Sequence, residues 1–138
     1  KAISLSEEQF KSLRKKNLDE KWIAIRIYSH PEDVMKLSRL FDKQFDDILH
    51  TYFTDIQSPV ESDGKLYKPF DKDNYESILA FVKQHIDADV LYIHCHAGVC
   101  RSPGVAVGLE KKFDCITAQH GLNNEMDVFP YPNVVSWF

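Results

Sequence analysis

Cys95 and Arg101 stand with five residues between them, His96-Ala97-Gly98-Val99-Cys100, and Ser102 follows at once. A cysteine can supply a thiolate, which is the reactive form of the side chain. An arginine presents a planar fork that grips two oxygens of a tetrahedral anion. If the residues between them curl, the backbone N–H groups of residues 96 to 101 point inward and complete a cradle for a phosphate-like dianion, with sulfur at its floor. Gly98 suits such a curl, because a residue without Cβ turns tightly and lets backbone approach the oxygens. Lysine would not replace Arg101, since two parallel N–H bonds need the planar fork.

These residues need a strand before them and a helix after them. Val90 to Ile93 is a β-branched and aromatic run that ends at His94-Cys95, and Ser102 to Phe113 is apolar nearly all round, as a buried helix would be. Helix N-termini and cations lower a cysteine pKa from about 8.5 to roughly 3.5–7.5, so the helix start and Arg101 are expected to favour the anion of Cys95. The Ser102 hydroxyl is placed to hydrogen-bond that sulfur. Taken singly, a strand-end cysteine is an ordinary small hydrophobe, and Arg-Ser is an ordinary helix start. The order of parts is what points to an anion site.

The run from His94-Cys95 to Arg101-Ser102 has the form HC-x5-R-S. With it the chain resembles the cysteine-dependent protein tyrosine phosphatase superfamily, most nearly its compact dual-specificity and bacterial branch. The resemblance implies hydrolysis of phosphate monoesters through a phosphocysteine, without cofactor or metal. Cys95 is then the nucleophile and Arg101 the clamp. Ser102 assists departure of the sulfur, and His96, Ala97, Gly98, Val99, Cys100 and Arg101 bind the phosphate. His94 is implied to be a buried residue that hydrogen-bonds nearby backbone and tunes the thiolate, and His96 to lie on the rim. The implied partner is a phosphorylated protein or a small aryl phosphate. Phosphotyrosine is the first choice and phosphoserine or phosphothreonine is left open. His96 and Cys100 are not lysines, so the strongly basic cradle suited to polyphosphoinositides is absent.

A general acid must protonate the leaving oxygen. Upstream candidates are Asp55, Asp63, Asp71 and Asp73. Asp55 follows a strand directly and opens a long loop, and compact bacterial relatives look similar around Thr54-Asp55-Ile56, so it is the first candidate. Asp63, beside Gly64, reads as a turn residue and is second. Asp71 and Asp73 read as helix caps.

Other chemistries compete. A zinc site of His94, Cys95, His96 and Cys100 would need side chains that alternate across a strand, and its spacing matches no paired-cysteine knuckle. A pseudophosphatase that only binds phosphorylated partners would not need Cys95, Arg101, Ser102 and an acid together. Rhodaneses and arsenate reductases also hold a thiolate in a loop, but without the His94-Cys95 to Arg101-Ser102 combination and its buried helix. Cys100 makes the loop Cys-x4-Cys-Arg-Ser, and two roles stand open for it. It traps an oxidised Cys95 as a reversible disulfide, or it packs its small side chain beneath the loop. His30, His50, His85 and His120 have no motif around them.

The rest of the 138 residues reads as one α/β domain, 1–138, with a central, mostly parallel sheet flanked by helices. The phosphate-binding loop joins a central strand to a buried helix. A helix is expected to start at Ser4-Leu5-Ser6-Glu7-Glu8-Gln9 and run to about Lys16. Trp22 to Tyr28 is read as an alternating strand, and His30-Pro31-Glu32-Asp33 as a break capping a helix toward Phe41. Ile48 to Phe53 is a second strand, and Gln57 to Phe70 a long loop whose Lys65, Tyr67 and Lys68 are placed to line the pocket. Asp73 to Ile86 is the clearest helix, with Tyr75, Ile78, Leu79, Val82 and Ile86 on one face. Pro130 to Phe138 is aromatic-rich and helical near Asn133. Ligands of such sheets bind beyond the carboxyl ends of the strands, where Cys95 and Asp55 both fall. A net charge of −4 speaks against a nucleic-acid or membrane-surface binder. No apolar run reaches the roughly 18 residues of a membrane span. Three cysteines cannot all pair, and an active thiolate needs reducing surroundings, so a cytoplasmic location is expected; a monomer is the expected state.

Overall fold

The computed structural model describes residues 1–138. Its centre is a five-stranded sheet in which every pairing is parallel. In chain order the strands are β1 (Ala2–Ser6), β2 (Trp22–Tyr28), β3 (Asp47–Tyr52), β6 (Val90–Cys95) and β7 (Ala118–His120), arranged β3-β2-β6-β1-β7. β4 (Val60–Ser62) and β5 (Lys65–Tyr67) form a separate antiparallel hairpin. The helices are α1 (Glu7–Lys11), α2 (Arg39–Asp42), α3 (Lys72–Gln84), α4 (Arg101–Lys112) and α5 (Pro132–Trp137).

β6 lies between β2 and β1, and all six of its residues are buried. That is why Val90-Leu-Tyr-Ile-His-Cys is nearly continuous in apolar character: a central parallel strand is covered on both faces. One face packs on α3, α4 and α5, where Ile25, Ile93, Phe53, Ile78, Val105, Leu109 and Val134 are fully buried. The other packs on α1 and α2 through Leu5, Phe10, Phe41, Phe45 and Tyr92. The α/β class with a mostly parallel sheet is therefore observed.

Several expected elements take another form. The N-terminus is not the start of a long helix. Ala2 to Leu5 is a buried strand, and the helix begins only at Glu7, after Ser6 caps it by accepting from the Gln9 N–H while Gln9 caps the Ser6 N–H in return. α1 also stops at Lys11 rather than near Lys16. Trp22 to Tyr28 is a strand, but all seven residues are buried, so it does not alternate between core and water. Toward Phe41 there is no continuous helix, only one 3-10 turn at Pro31–Asp33 and the short α2. Gln57 to Phe70 is not structureless: it holds the β4–β5 hairpin, turned by Asp63 and Gly64 at φ +50° and +75°. α3 and α5 are present as expected, but α3 ends at Gln84, so Ile86 lies beyond it, exposed, and Phe81 rather than Ile86 is buried on its inner face.

Two contacts carry the fold toward the site. Buried Asn74 of α3 donates to the Thr51 hydroxyl and the Tyr52 carbonyl, which ties the helix to the carboxyl end of β3. Lys65 on β5 pairs with Glu32 and Asp33, which ties the hairpin to the 3-10 turn. No helix is long and apolar enough to cross a membrane.

Candidate functional site

Cys95 ends β6 at the carboxyl edge of the sheet, 3% exposed, and α4 begins six residues later at Arg101. The loop between them is braced from outside at three carbonyls. The Glu7 N–H donates to His96 O at 3.1 Å, Phe129 N–H to Val99 O at 2.8 Å, and Tyr131 N–H to Cys100 O at 3.0 Å. A peptide group is planar and here trans throughout, so each following N–H points the opposite way. The amides of Ala97, Cys100 and Arg101 are thus turned away from the bracing chains, and none of them meets a protein acceptor. Gly98 closes the curl by donating its N–H to the Cys95 sulfur at 3.2 Å. At φ +75°, a Cβ there would stand 2.5 Å from Ser6 N and 2.7 Å from Leu5 C, so only glycine fits.

Ser102 is fully buried in the first turn of α4. Its Oγ lies 3.2 Å from Cys95 Sγ and 3.2 Å from the Leu5 carbonyl. One hydroxyl proton can serve the carbonyl while sulfur is a thiol and swing to the sulfur when it is an anion. Pro103 sits in the same turn, where its missing N–H leaves no intrahelical bond unmade.

Arg101 is held by Nη1 alone, which donates to the Ser29 hydroxyl at 3.0 Å and the Phe53 carbonyl at 3.1 Å. The rest of the fork faces a cleft of about 320 Å³ lined by Glu7, Ile27, Tyr28, Ser29, Asp33, His96 and Arg101. His96 is exposed on its rim. Comparison with known protein families, curated proteins and solved structures found no match to this chain. The chemistry of the site rests on its own geometry.

The carboxylates separate clearly. Asp55 is exposed just beyond β3, its Oδ1 accepting from Thr54 Oγ1 at 3.3 Å. Burial first, then the charge of Asp55 and that of the Cys95 sulfur, push the Cys100 thiol up from its ordinary value. The segment carrying Asp55 is pinned by Thr54 N–H to Lys68 O at 2.8 Å and by the Tyr131 hydroxyl to Ile56 O at 2.8 Å. Asp63 is at the hairpin tip. Asp71 caps α3, and Asp73 lies in its first turn. Burial works against ionisation of Asp71, but the Asn74 N–H and Lys68 outweigh it and hold the carboxyl below its usual range. A proton donor needs the reverse.

His94 is buried with both ring nitrogens engaged: Nε2 accepts from Arg26 Nε at 3.0 Å, and Nδ1 lies 3.3 Å from the Cys95 carbonyl. Burial first, then Arg26, lower its pKa to about 3. It cannot offer Nε2 to a metal while Arg26 donates there. All three cysteines are free, with Cys100 half-buried at the helix cap and Cys115 exposed.

Sequence reasoning missed the supporting residues Arg26, Tyr28, Ser29, Glu7 and Tyr131. Arg26 left one signal, a single charge inside the apolar run Trp22-Ile-Ala-Ile-Arg-Ile-Tyr28. The backbone braces at Phe129 and Tyr131 left none.

The neutral rings fix how stability depends on acid. Burial holds His94, His50 and His120 below their ordinary 6.5. The unfolded chain takes up these protons as pH falls through about 6.5, whereas folded His94 does not until about 3. Stability is therefore full above pH 6.5 and declines below it. His94 alone should account for about 2 kcal/mol between pH 6.5 and 5. Urea unfolding at the two pH values should show that drop, and His94→Gln should reduce it by about that amount.

Proposed function

We propose that the protein hydrolyses phosphate monoesters of phosphorylated proteins or small aryl phosphates, phosphotyrosine first, through a phosphocysteine. The observation that carries this reading is the sulfur of Cys95 in a loop whose carbonyls at His96, Val99 and Cys100 are bound from outside, with the amides of Ala97, Cys100 and Arg101 unpaired and Arg101 lining the adjoining cleft. Amides of His96, Ala97, Gly98, Val99, Cys100 and Arg101 supply the cradle, and such preorganised donors stabilise the charge of a transferring phosphoryl group.

In the first step a lone pair of the Cys95 thiolate forms the S–P bond as the P–O bond to the leaving group breaks. Asp55 gives its proton to the departing oxygen. In the second step Asp55, now a carboxylate, takes a proton from water as that oxygen bonds phosphorus. The S–P bond breaks and sulfur leaves as thiolate, stabilised by hydrogen bonds from Ser102 and Gly98. Asp63 and Asp71 are supported less well, one at a hairpin tip and the other committed to a cap. A thiolate enzyme of this kind works in a reducing compartment, so we place it in the cytoplasm.

Cys95→Ser should abolish turnover of p-nitrophenyl phosphate while keeping binding of vanadate or phosphate, because serine offers no accessible anion at neutral pH. Arg101→Lys should weaken both. Appreciable turnover by Cys95→Ser would exclude the mechanism.

Asp55→Asn should lower kcat by about 10²–10⁴-fold with KM little raised, and should remove the basic limb of the pH profile. The loss should shrink for substrates with good leaving groups. The same pattern in Asp63→Ala, and not in Asp55→Asn, would move the acid to the hairpin.

Cys100 closes the loop that Cys95 opens, at the N-cap of α4. Mild peroxide should inactivate the enzyme and reductant restore it, with poorer recovery in Cys100→Ser as Cys95 passes to irreversible acids. Equal recovery in both would leave Cys100 a packing residue.

A further inference from the structure

Arg26 is 3% exposed in the middle of β2, yet no carboxylate contacts its guanidinium. A buried cation without a partner is costly, so its neighbours should reveal why it is there. In register it sits between His94 of β6 and His50 of β3. Nε donates to His94 Nε2 at 3.0 Å, while Nη2 donates to the Tyr28 hydroxyl and, at 3.0 Å, to the Met35 carbonyl. The Phe10 and Tyr28 rings lie beside the guanidinium, each 5.3 Å away.

Arginine has donors and no acceptor, and it does not lose its proton in proteins. A nitrogen that receives its N–H must therefore carry a lone pair. This decides the tautomer of His94: Nε2 is bare, so in the neutral ring Nδ1 holds the proton. Nδ1 is also the atom 3.3 Å from the carbonyl of Cys95. The ring itself is clamped between Phe10 and Tyr28, with centroids 4.5 and 5.4 Å away.

We propose that Arg26 is a positioning residue of the site: it fixes His94 as the Nδ1–H tautomer, and that ring in turn holds the carbonyl of Cys95 where the loop begins. Without the guanidinium, Nε2 would lose its donor and the ring could take its proton there instead. The Cys95 carbonyl would then face a lone pair and lose its only side-chain donor.

The charge of Arg26 acts in the same direction as its hydrogen bond. A second proton on His94 would place one cation directly against another. From the other elements packed on this ring, His50 of β3 and Arg101 of α4 add to that opposition, and only the Cys95 carbonyl favours the charged ring. Tyr28 faces it from β2 as a neutral phenol, its pKa pushed to about 12 chiefly by burial, with the charge of Glu7 acting in the same direction. Ring, tautomer and charge state thus all follow from one residue.

The test reads the ring directly. Long-range proton–nitrogen spectra of the 15N-labelled wild-type protein should show His94 with Nδ1 protonated and Nε2 bare from pH 8 down to pH 5. In Arg26→Met, which keeps bulk and removes charge and donor, the ring should change tautomer or titrate between pH 5 and 7. kcat on p-nitrophenyl phosphate should fall about 10–100-fold, the scale typical of lost supporting contacts, and the acid limb of the kcat/KM profile should move up. Arg26→Gln keeps an amide donor without the charge. It should retain the tautomer and much of kcat while still shifting the acid limb, a split that a merely structural role would not give. Protonated Nε2 in the wild type overturns the proposal without need of any variant. So does an unchanged ring state with unchanged kinetics in Arg26→Met or, should that protein not fold, an acid limb that does not move in Arg26→Gln. The kinetic readings rest on the hydrolase reading above, but the ring spectra do not: a wild-type protein with the expected tautomer and no turnover would refute that reading and leave the positioning of His94 intact.

Discussion

The site depends on the rigidity of the peptide group. Because C=O and the next N–H point opposite ways, a loop can be made to present donors to its inside only if something outside accepts the task of binding its carbonyls. Here two separate segments do so with three bonds: the start of α1 at His96 O, and Phe129 and Tyr131 of the C-terminal strap at Val99 O and Cys100 O. The close approach of Gly98 to Leu5 and Ser6 sets the curl against the end of β1. The cradle is thus a product of the whole carboxyl edge of the sheet. The five residues between Cys95 and Arg101 could not hold this shape alone.

Charge is arranged on the same plan. Two arginines lie near the ends of β2 and β6, and they are kept distinct by what surrounds them. Arg101 spends only Nη1 on protein and turns the remainder toward the cleft. Arg26 gives Nε and Nη2 to His94, Tyr28 and the Met35 carbonyl and does not line that cleft. Glu7 and Asp33 give the cleft wall a negative side, opposite in sign to the arginine that faces it. One cation is therefore available to an anion, and the other only orients the groups that receive it.

The residues of the candidate site are legible in the sequence because they are contiguous. Strand, loop and helix from Val90 to Lys112 lie where their types place them, and so do Asp71 and Asp63 in their cap and turn. What escaped notice depends on pairing distant in sequence. Ala2 to Leu5 is a strand because β6 and β7 flank it, and four residues are too few to show a period of two. The serine and glutamate pattern that suggested a helix belongs to Ser6 and not Ser4, since the last strand residue doubles as the cap. β7 has three residues and no apolar signature at all. The strap at Phe129 to Tyr131 acts through backbone atoms, which every sequence supplies and none advertises. Arg26 was visible as an anomaly, but its meaning required knowing that His94 lies beside it across two strands.

The proposed chemistry also asks for two environments within one site, and the fold separates them. The proposed nucleophile is almost fully buried, its sulfur beside the Gly98 N–H and the Ser102 hydroxyl. The acid must meet water, since in the second step it takes a proton from the attacking molecule. Asp55 is exposed, on a segment fixed on one side to Lys68 and on the other to Tyr131. Tyr131 is the residue whose own N–H braces the Cys100 carbonyl. A single residue of the strap therefore binds both the rim of the cradle and the segment that carries the acid. Anything that displaces the strap moves nucleophile and acid relative to each other, so their alignment is set as one unit even though their exposures differ.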